Sequence, residues 1–588
     1  MGKKRVAVLM ILFLLLITIG GLYRVWVTNN TPNDSMADPF QTKGTRLVIG
    51  GEEIKTKAPA LYRDSQVLID FETVKAYIDP YIWWDESLKQ ITVTTKDRVI
   101  RMKTGSLDAL INDEPLTLSF SAVEEGGAVY LPLNFLKDFY LINVSYAEDT
   151  DCVIIDFKNR IYRTAYPLTS EAVMRKGMHI KDPVVKRFEE SSLADPVSEL
   201  YVFEEYESWY KVRDKSGILG YIAKSQVKLT EMTLTEEFLN NRNVPVLTQG
   251  KINLVWDMSY SKKNITFSKS STPGIDVISP TWFEIVDREG TIKNRATPEY
   301  VGWAHENGWQ VWALFANDFS DIEGTHILLN DSEKRRQLIR SVLAYAALYR
   351  VDGINLDFEN IYKEDKDAYT QFVREFTPLA REQGLVVSVD VTIPDGSDTW
   401  SKCFDRKALA ETVDFVCLMT YDQHWASSPI AGSTAELAWV DKNVEKTLKE
   451  VPAQKLLLGI PLYTRLWTEE TVEGKSSVSS KALNIVSAWK QVEENEAVLA
   501  WNASSGQYQA SYEKDGKVYK LWLEDADAVN MKTSLVHKYN LAGASVWAAN
   551  FADEKVFEVF ERNLKQIAHY DEWKSTYEGP AADTSGSN

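Results

Sequence analysis

The first pattern along the chain is an unbroken apolar run. After Lys3, Lys4 and Arg5, the eighteen residues Val6–Tyr23 carry no charge. As a helix at about 1.5 Å per residue they span about 27 Å, close to the apolar thickness of a bilayer. Basic residues ahead of such a run favour a cytoplasmic N-terminus, which puts everything after Arg24 outside. Two readings stay open: an uncleaved anchor over residues 1–24, or a signal peptide, for which Thr18-Ile19-Gly20 is the nearest approach to a cleavage site. Residues 25–46 are rich in Asn, Thr, Pro and Asp without an apolar period and read as a linker.

From Leu47 the pattern changes to short apolar strands. Two stretches within residues 47–157 repeat the order strand, helix, hairpin. The first holds Val67-Leu68-Ile69, Trp83-Trp84-Asp85-Glu86 and Ile91-Thr92-Val93. The second holds Val129-Tyr130-Leu131-Pro132, Val144-Ser145-Tyr146 and Val153-Ile154-Ile155. This arrangement resembles the small repeat domain first named from the N-terminus of copper amine oxidases, a spacer in exported bacterial proteins. No copper is implied, since no histidine precedes His179. Residues 160–230 alternate apolar and polar positions between glycine turns, as in Trp209–Arg213 and Gly217–Ile222. That pattern predicts a small β-barrel and resembles a bacterial SH3-like domain, either a wall-binding module or a structural spacer.

Over residues 248–570 buried strands alternate with amphipathic helices. Eight strands are predicted: Ile252–Trp256, Val277–Ser279, Val311–Phe315, Gly353–Phe358, Val386–Val391, Phe415–Met419, Leu456–Ile460 and Ala544–Trp547, with helices such as Ser332–Tyr349 and Asp367–Gln383 between them. Eight such units predict an α/β fold, a closed (β/α)8 TIM barrel. The interval between the last two strands is too long for one helix. Alternation over Ala497–Trp522 around Lys514-Asp515-Gly516-Lys517 predicts a small α+β insertion at about residues 480–540. Residues 577–588 are Gly-, Ser-, Ala- and Asp-rich and read as a disordered tail.

Composition narrows the function classes. The 588 residues carry 66 Lys and Arg against 84 Asp and Glu, a net charge of -18, so no basic field is available to gather phosphates, and nucleic acid is not an expected partner. The three cysteines, Cys152, Cys403 and Cys417, form neither a disulfide framework nor a zinc spacing. No metal or organic cofactor is expected.

The chemistry concentrates on the fourth barrel strand, Asp352-Gly353-Ile354-Asn355-Leu356-Asp357-Phe358-Glu359. Side chains alternate faces along a strand, so Asn355, Asp357 and Glu359 share the face opposite Ile354, Leu356 and Phe358. Carboxylates turned into a barrel are costly unless protonated or well bonded, so such a row points to function. Glu359 at the C-terminal mouth, beside a second carboxyl, suits a general acid. The Asp-x-x-x-x-Asp-x-Glu pattern resembles the signature of family 18 glycoside hydrolases, the chitinase and endo-N-acetylglucosaminidase group. What this resemblance implies is substrate-assisted, retaining cleavage: Glu359 as proton donor, Asp357 holding the acetamido N–H, and Asp352 as a structural member of the motif. Asn355 is a departure, because many members carry a buried Asp there that shares a proton with the next one.

The same resemblance assigns Met419-Thr420-Tyr421-Asp422 to the Met-x-Tyr-Asp pattern, with the Tyr421 hydroxyl on the acetamido carbonyl and Asp422 lining the cleft. It places Trp547 under the reacting sugar. Tyr463, Arg465, Trp282 and Asn317, with Trp501 and Trp522 of the insertion, are candidates to line subsites, and His424 reads as a scaffold residue. A Ser-x-Gly-Gly segment common in chitinases is absent from strand three, Val311–Asp318, which brings the sequence nearer the bacterial cell-wall and spore-cortex branch. The expected partner is therefore an N-acetylglucosamine-containing glycan, peptidoglycan first and chitin second. A catalytically silent lectin is the alternative from another class, opposed by the intact Glu359, Asp357 and Tyr421.

Overall fold

The computed structural model describes residues 3–158, 160–188, 199–234, 250–259, 272–472, 475–577 and 579. The tail read as disordered lies outside them from residue 580 on, and residues 189–198 of the stretch expected to resemble an SH3-like domain also lie outside. The chain divides into an N-terminal and a C-terminal compact unit.

The N-terminal unit begins with a helix over Lys3–Asn30, whose segment Ala7–Asn30 is long and apolar enough to cross a membrane, as a signal sequence also is. Residues read as linker continue along the edge strand Val184–Arg187. Ala37 N–H donates to the Val184 carbonyl and Val184 N–H to that of Ser35, both at 2.8 Å. An edge strand has unpaired backbone groups, and this segment satisfies them.

The repeat is visible in the structure. Strand Gln66–Asp70 leads into helix Phe71–Tyr77, capped by the Asp70 carboxylate on Thr73 N–H at 2.9 Å. Strand Ala128–Pro132 leads likewise into Leu133–Leu136. The two strands pair antiparallel, Leu131 opposite Ile69, and bury Leu68, Ile69 and Leu131 completely. Each half closes with a hairpin, Trp83–Asp85 with Gln90–Thr94 and Ile142–Ala147 with Cys152–Phe157.

The described residues between 160 and 234 form a seven-stranded antiparallel sheet. Buried Arg213 of that sheet makes a two-pronged pair with Asp156 of the repeat region, at 2.8 and 2.7 Å, and also donates to the Gly50 carbonyl. Phe40, Val48, Cys152 and Ile154 share a core with Ile218 and Leu219. The stretches read as separate small domains are thus packed as one body.

In the C-terminal unit all eight predicted strands form, within about a residue or two of their expected limits. We number them β1 Ile252–Asp257, β2 Val277–Pro280, β3 Gln310–Ala316, β4 Gly353–Asp357, β5 Val386–Thr392, β6 Phe415–Met419, β7 Leu456–Pro461 and β8 Gly543–Trp547. Every neighbour pairs in parallel and β8 pairs with β1, so the sheet closes into an eight-stranded barrel. Its interior is apolar towards the strand N-termini, where Ile252, Leu254, Trp312, Leu314, Val386 and Leu457 meet. Outside, helices Ser332–Tyr349 and Lys366–Glu382 are tied by a fully buried pair, Arg335 to Glu375 at 2.8 Å.

The insertion begins earlier than its apolar alternation suggests. Strand Thr464–Val472 follows directly on β7 and joins Lys475–Leu483, Val498–Asn502, Gln507–Lys514 and Lys517–Trp522 in a five-stranded sheet. Thr464–Val472 shows no clean period-two alternation and places Glu469 and Glu470 side by side, a weak strand signal, and it is the pairing with Lys475–Leu483 and Lys517–Trp522 that makes it a strand. The predicted hairpin at Lys514-Asp515-Gly516-Lys517 is present, with Lys514 opposite Lys517.

Candidate active site

β4 delivers its polar face to the barrel interior because Ile354, Leu356 and Phe358, on the other face, are buried against the surrounding helices. Asp352, at the foot of the strand, accepts from Val311 N–H and bonds to His305 Nε2, both at 2.8 Å. It is a stitch between strand ends. One turn of the pleat higher, Asn355 is fully buried. Its Oδ1 accepts from Trp256 Nε1 at 2.7 Å, and its Nδ2 donates to Ser388 Oγ at 3.0 Å and to Asp390 Oδ1 at 2.7 Å.

Asp357 stands above it with its Oδ1 buried and without a hydrogen-bond partner. Removal from water pushes its carboxyl up to about 7. Glu359 lies just past the strand end. Burial raises its carboxyl well above the ordinary range, and the nearby charges of Asp357, Asp390 and Asp422 raise it further. A glutamic acid that keeps its proton near neutrality at the barrel mouth is equipped to protonate a leaving group. The Tyr421 hydroxyl belongs to the same field. Its ionisation is suppressed by burial and by Asp390, Glu359 and Asp357, so it remains a neutral donor.

Asp422, in a left-handed backbone conformation (φ 56°), turns its carboxylate to two partners from the start of the insertion region. The Tyr463 hydroxyl and Arg465 Nη2 both donate to its Oδ1 at 2.6 Å. Met419 is buried at the end of β6, and Thr420 donates to the Gly459 carbonyl at 2.6 Å, which holds the turn. Trp547, part-buried at the end of β8, packs on Trp256 at 5.9 Å between ring centroids. Glu359, Asp357, Tyr421, Asp422, Tyr463, Arg465 and Trp547 thus belong to one end of the barrel.

Two candidates for subsites are occupied otherwise. Asn317 is buried and grips the backbone of Glu359: its Oδ1 accepts from Glu359 N–H and its Nδ2 donates to the Glu359 carbonyl, each at 2.9 Å. Nδ2 also reaches Thr325 Oγ1. It therefore aims the acid and has no polar atom left for a sugar. Trp282 is buried, edge-on to Tyr300 at 5.1 Å, and belongs to the packing under Asp257, to which Tyr300 donates at 2.6 Å. Trp501 and Trp522 lie part-buried on the insertion sheet, Trp501 against Tyr508. His424 bonds to the Ser433 carbonyl at 2.9 Å, with its ring against Gly432.

Sequence reasoning missed Asp390. Its signal was present, because Ser388 and Asp390 interrupt an otherwise apolar Val386–Val391 with the same alternation that marked β4. Cys417 was likewise passed over as one of three isolated thiols. It is buried near Asp390, whose charge joins burial in pushing the thiol well above its ordinary range. Among the described residues no group of His, Cys, Asp and Glu has the arrangement of a metal site.

Comparison with known proteins agrees with this geometry. Residues 309–552, from just before β3 to just past β8, match the family described as Glycosyl hydrolases family 18. Residues 48–155 match the Copper amine oxidase N-terminal domain. An uncharacterized glycosylase, YvbX of Bacillus subtilis, is 26% identical over 291 residues, 47% of this chain and 82% of that protein. The cortical fragment-lytic enzyme of Bacillus subtilis is 31% identical over 234 residues, 39% of this chain and 53% of that protein. Mouse di-N-acetylchitobiase is 24% identical over 281 residues, covering 44% and 74%. The barrel that carries Asp357, Glu359 and Tyr421 is therefore a family 18 glycosyl hydrolase domain, joined in one chain to a copper amine oxidase N-terminal domain.

Proposed function

We propose that this chain is an exported hydrolase that cleaves β-1,4 bonds after N-acetylglucosamine in peptidoglycan, with the acetamido group of the substrate as internal nucleophile. The observation that carries the reading is the vertical pair on β4, a proton-retaining Glu359 above a buried Asp357. Glu359 gives its proton to the departing glycosidic oxygen as that bond breaks. The acetamido oxygen forms the new bond to the anomeric carbon, and Asp357 accepts the acetamido N–H, stabilising the positive charge that develops there. Tyr421 donates to the acetamido oxygen and so orients it. Water then attacks the same carbon as its bond to the acetamido oxygen breaks, and Glu359 takes the proton from that water, which frees the acetamido group and leaves the sugar in its original configuration.

The wall substrate is supported by placement and by likeness. An apolar N-terminal helix, whether retained as an anchor or removed as a signal, directs the barrel outside the membrane, where peptidoglycan is the abundant N-acetylglucosamine polymer. A relative named for cortical fragment lysis points the same way. The deciding experiment digests purified peptidoglycan and chitooligosaccharides in parallel with residues 40–588 and with the Glu359→Gln variant, and identifies the new reducing ends by mass spectrometry. Release of fragments ending in N-acetylglucosamine from peptidoglycan by the unmodified protein alone supports the reading. Cleavage confined to chitooligosaccharides moves the substrate to chitin, and glycan binding without cleavage makes the protein a lectin.

A further inference from the structure

The register of the barrel sets a second buried acid level with Asp357. β4 and β5 pair in parallel with Asn355 opposite Ser388 and Leu356 opposite Val389, so the next step upward brings Asp357 beside Asp390. Neighbouring strands lie about 5 Å apart, and both residues have the parity that points inward. Asp390 is buried, with 2% of its surface exposed. Around it stand Asn355, Asp357 and Glu359 from β4 and its end, Cys417 from β6, Tyr421 beyond β6, and Tyr369 from helix Lys366–Glu382. Among the described residues no lysine, arginine or histidine bonds to either carboxyl.

The Asn355 amide settles which groups can carry the proton. Its oxygen is taken by Trp256, so its NH2 must face Ser388 and Asp390, and Asp390 Oδ1 is an acceptor. An amide has no acidic proton to add. Two carboxylates level on adjacent strands, buried and without a cation, cannot both be charged, so one proton must lie on Asp390 Oδ2 or on Asp357, whose buried Oδ1 has no hydrogen-bond partner.

We propose that Asp390 is the positioning residue for Asp357: the two acids act as one unit that keeps a single proton, and Asp390 holds it whenever Asp357 receives the acetamido N–H. The charge-sharing acid is then supplied from β5, beside an asparagine on β4. This rests on the hydrolytic reading of the site, and its test is chosen to fail separately. Three proteins are compared on whichever glycan the unmodified chain cleaves: Asp390→Asn, Asn355→Asp, and the exchange variant Asn355→Asp/Asp390→Asn.

The expected results are a loss of about 10- to 100-fold in kcat for Asp390→Asn with KM little changed, and displacement of the acidic limb of its pH profile to lower pH. The exchange variant, which keeps one acid and one amide beside Asp357, should recover most of that kcat and the original limb. Asp390→Asn with the original kcat and profile overturns the proposal. So does a folded exchange variant no better than Asp390→Asn, since a merely structural role would not be restored by moving the acid. Should Asp390→Asn not fold, the exchange variant alone decides. Independently, the infrared difference between Glu359→Gln and Glu359→Gln/Asp390→Asn at pH 6 should show a buried protonated carboxyl that only the first protein holds, and its absence overturns the proposal. An unmodified chain that cleaves no glycan while that carboxyl band is present overturns the hydrolytic reading and leaves the shared proton standing.

Discussion

Two sets of buried acids in this molecule differ in one respect, the presence of a cation. Glu375 on the outer helices accepts from Arg335 Nε and Nη2 and from Gln371, and Glu524 under the insertion pairs with Lys532 at 2.6 Å. Asp156 in the N-terminal unit is gripped by Arg213. Each of these holds elements together. Asp357 and Asp390 inside the barrel mouth are buried as well and Glu359 beside them is part-buried, yet the three bond to no lysine or arginine among the described residues, and all three carboxyls are pushed upward. Burial lifts Glu524 too, to about 7, but Lys532 draws it back down, whereas the inner acids carry their desolvation with no cation beside them, which a fold would not retain for stability alone.

The contrast can be broken most severely at Glu359. Glu359→Gln keeps the shape and removes the proton, so kcat should fall by about 10²–10⁴-fold with thermal stability unchanged or higher, read by reducing-end release and by melting. Arg335→Met should act oppositely. Leaving Glu375 buried without the Arg335 cation is expected to cost about 3–5 kcal/mol in urea unfolding, while activity per folded molecule stays near that of the unmodified protein. A comparable kcat loss in Arg335→Met would erase the distinction between the two sets.

Asn317→Ala sharpens the inner set. It removes both bonds to the Glu359 backbone, and an acid displaced by about 1 Å should lose up to about 10²-fold in kcat, with little change in KM. The smallest effect is on stability against pH. Asp357 has a folded value of about 7 against an ordinary value of 3.8, so the native state holds a proton that the unfolded chain releases. Its contribution is full below about 4 and is lost as pH rises through about 7. The melting temperature of the unmodified chain should therefore decline across that window more steeply than that of Asp357→Asn.

Much of this was legible along the chain. Period-two alternation in β4 separates Asn355, Asp357 and Glu359 from Ile354, Leu356 and Phe358, and local strand geometry makes that separation unavoidable. The eight barrel strands show in the same way, because a strand buried on both faces needs a continuous apolar run that loops do not have. Thr464–Val472 escaped, since its residues become a strand only through the partners that pair with it.

The roles of Asn317 and Trp282 were also out of reach. A polar or aromatic residue at a strand end can face a ligand, a backbone or a helix, and one sequence offers no way to choose. What the sequence determined by itself is local: which residues alternate, where the acids lie on their strand, and that the barrel closes from eight similar units. Only the tertiary structure decided that β5 lies beside β4 in a register that levels Asp390 with Asp357, and that Asn317 reaches the backbone of Glu359. Those contacts join residues 33 and 42 positions apart along the chain, and their energies depend on pairing and burial that local propensity does not encode.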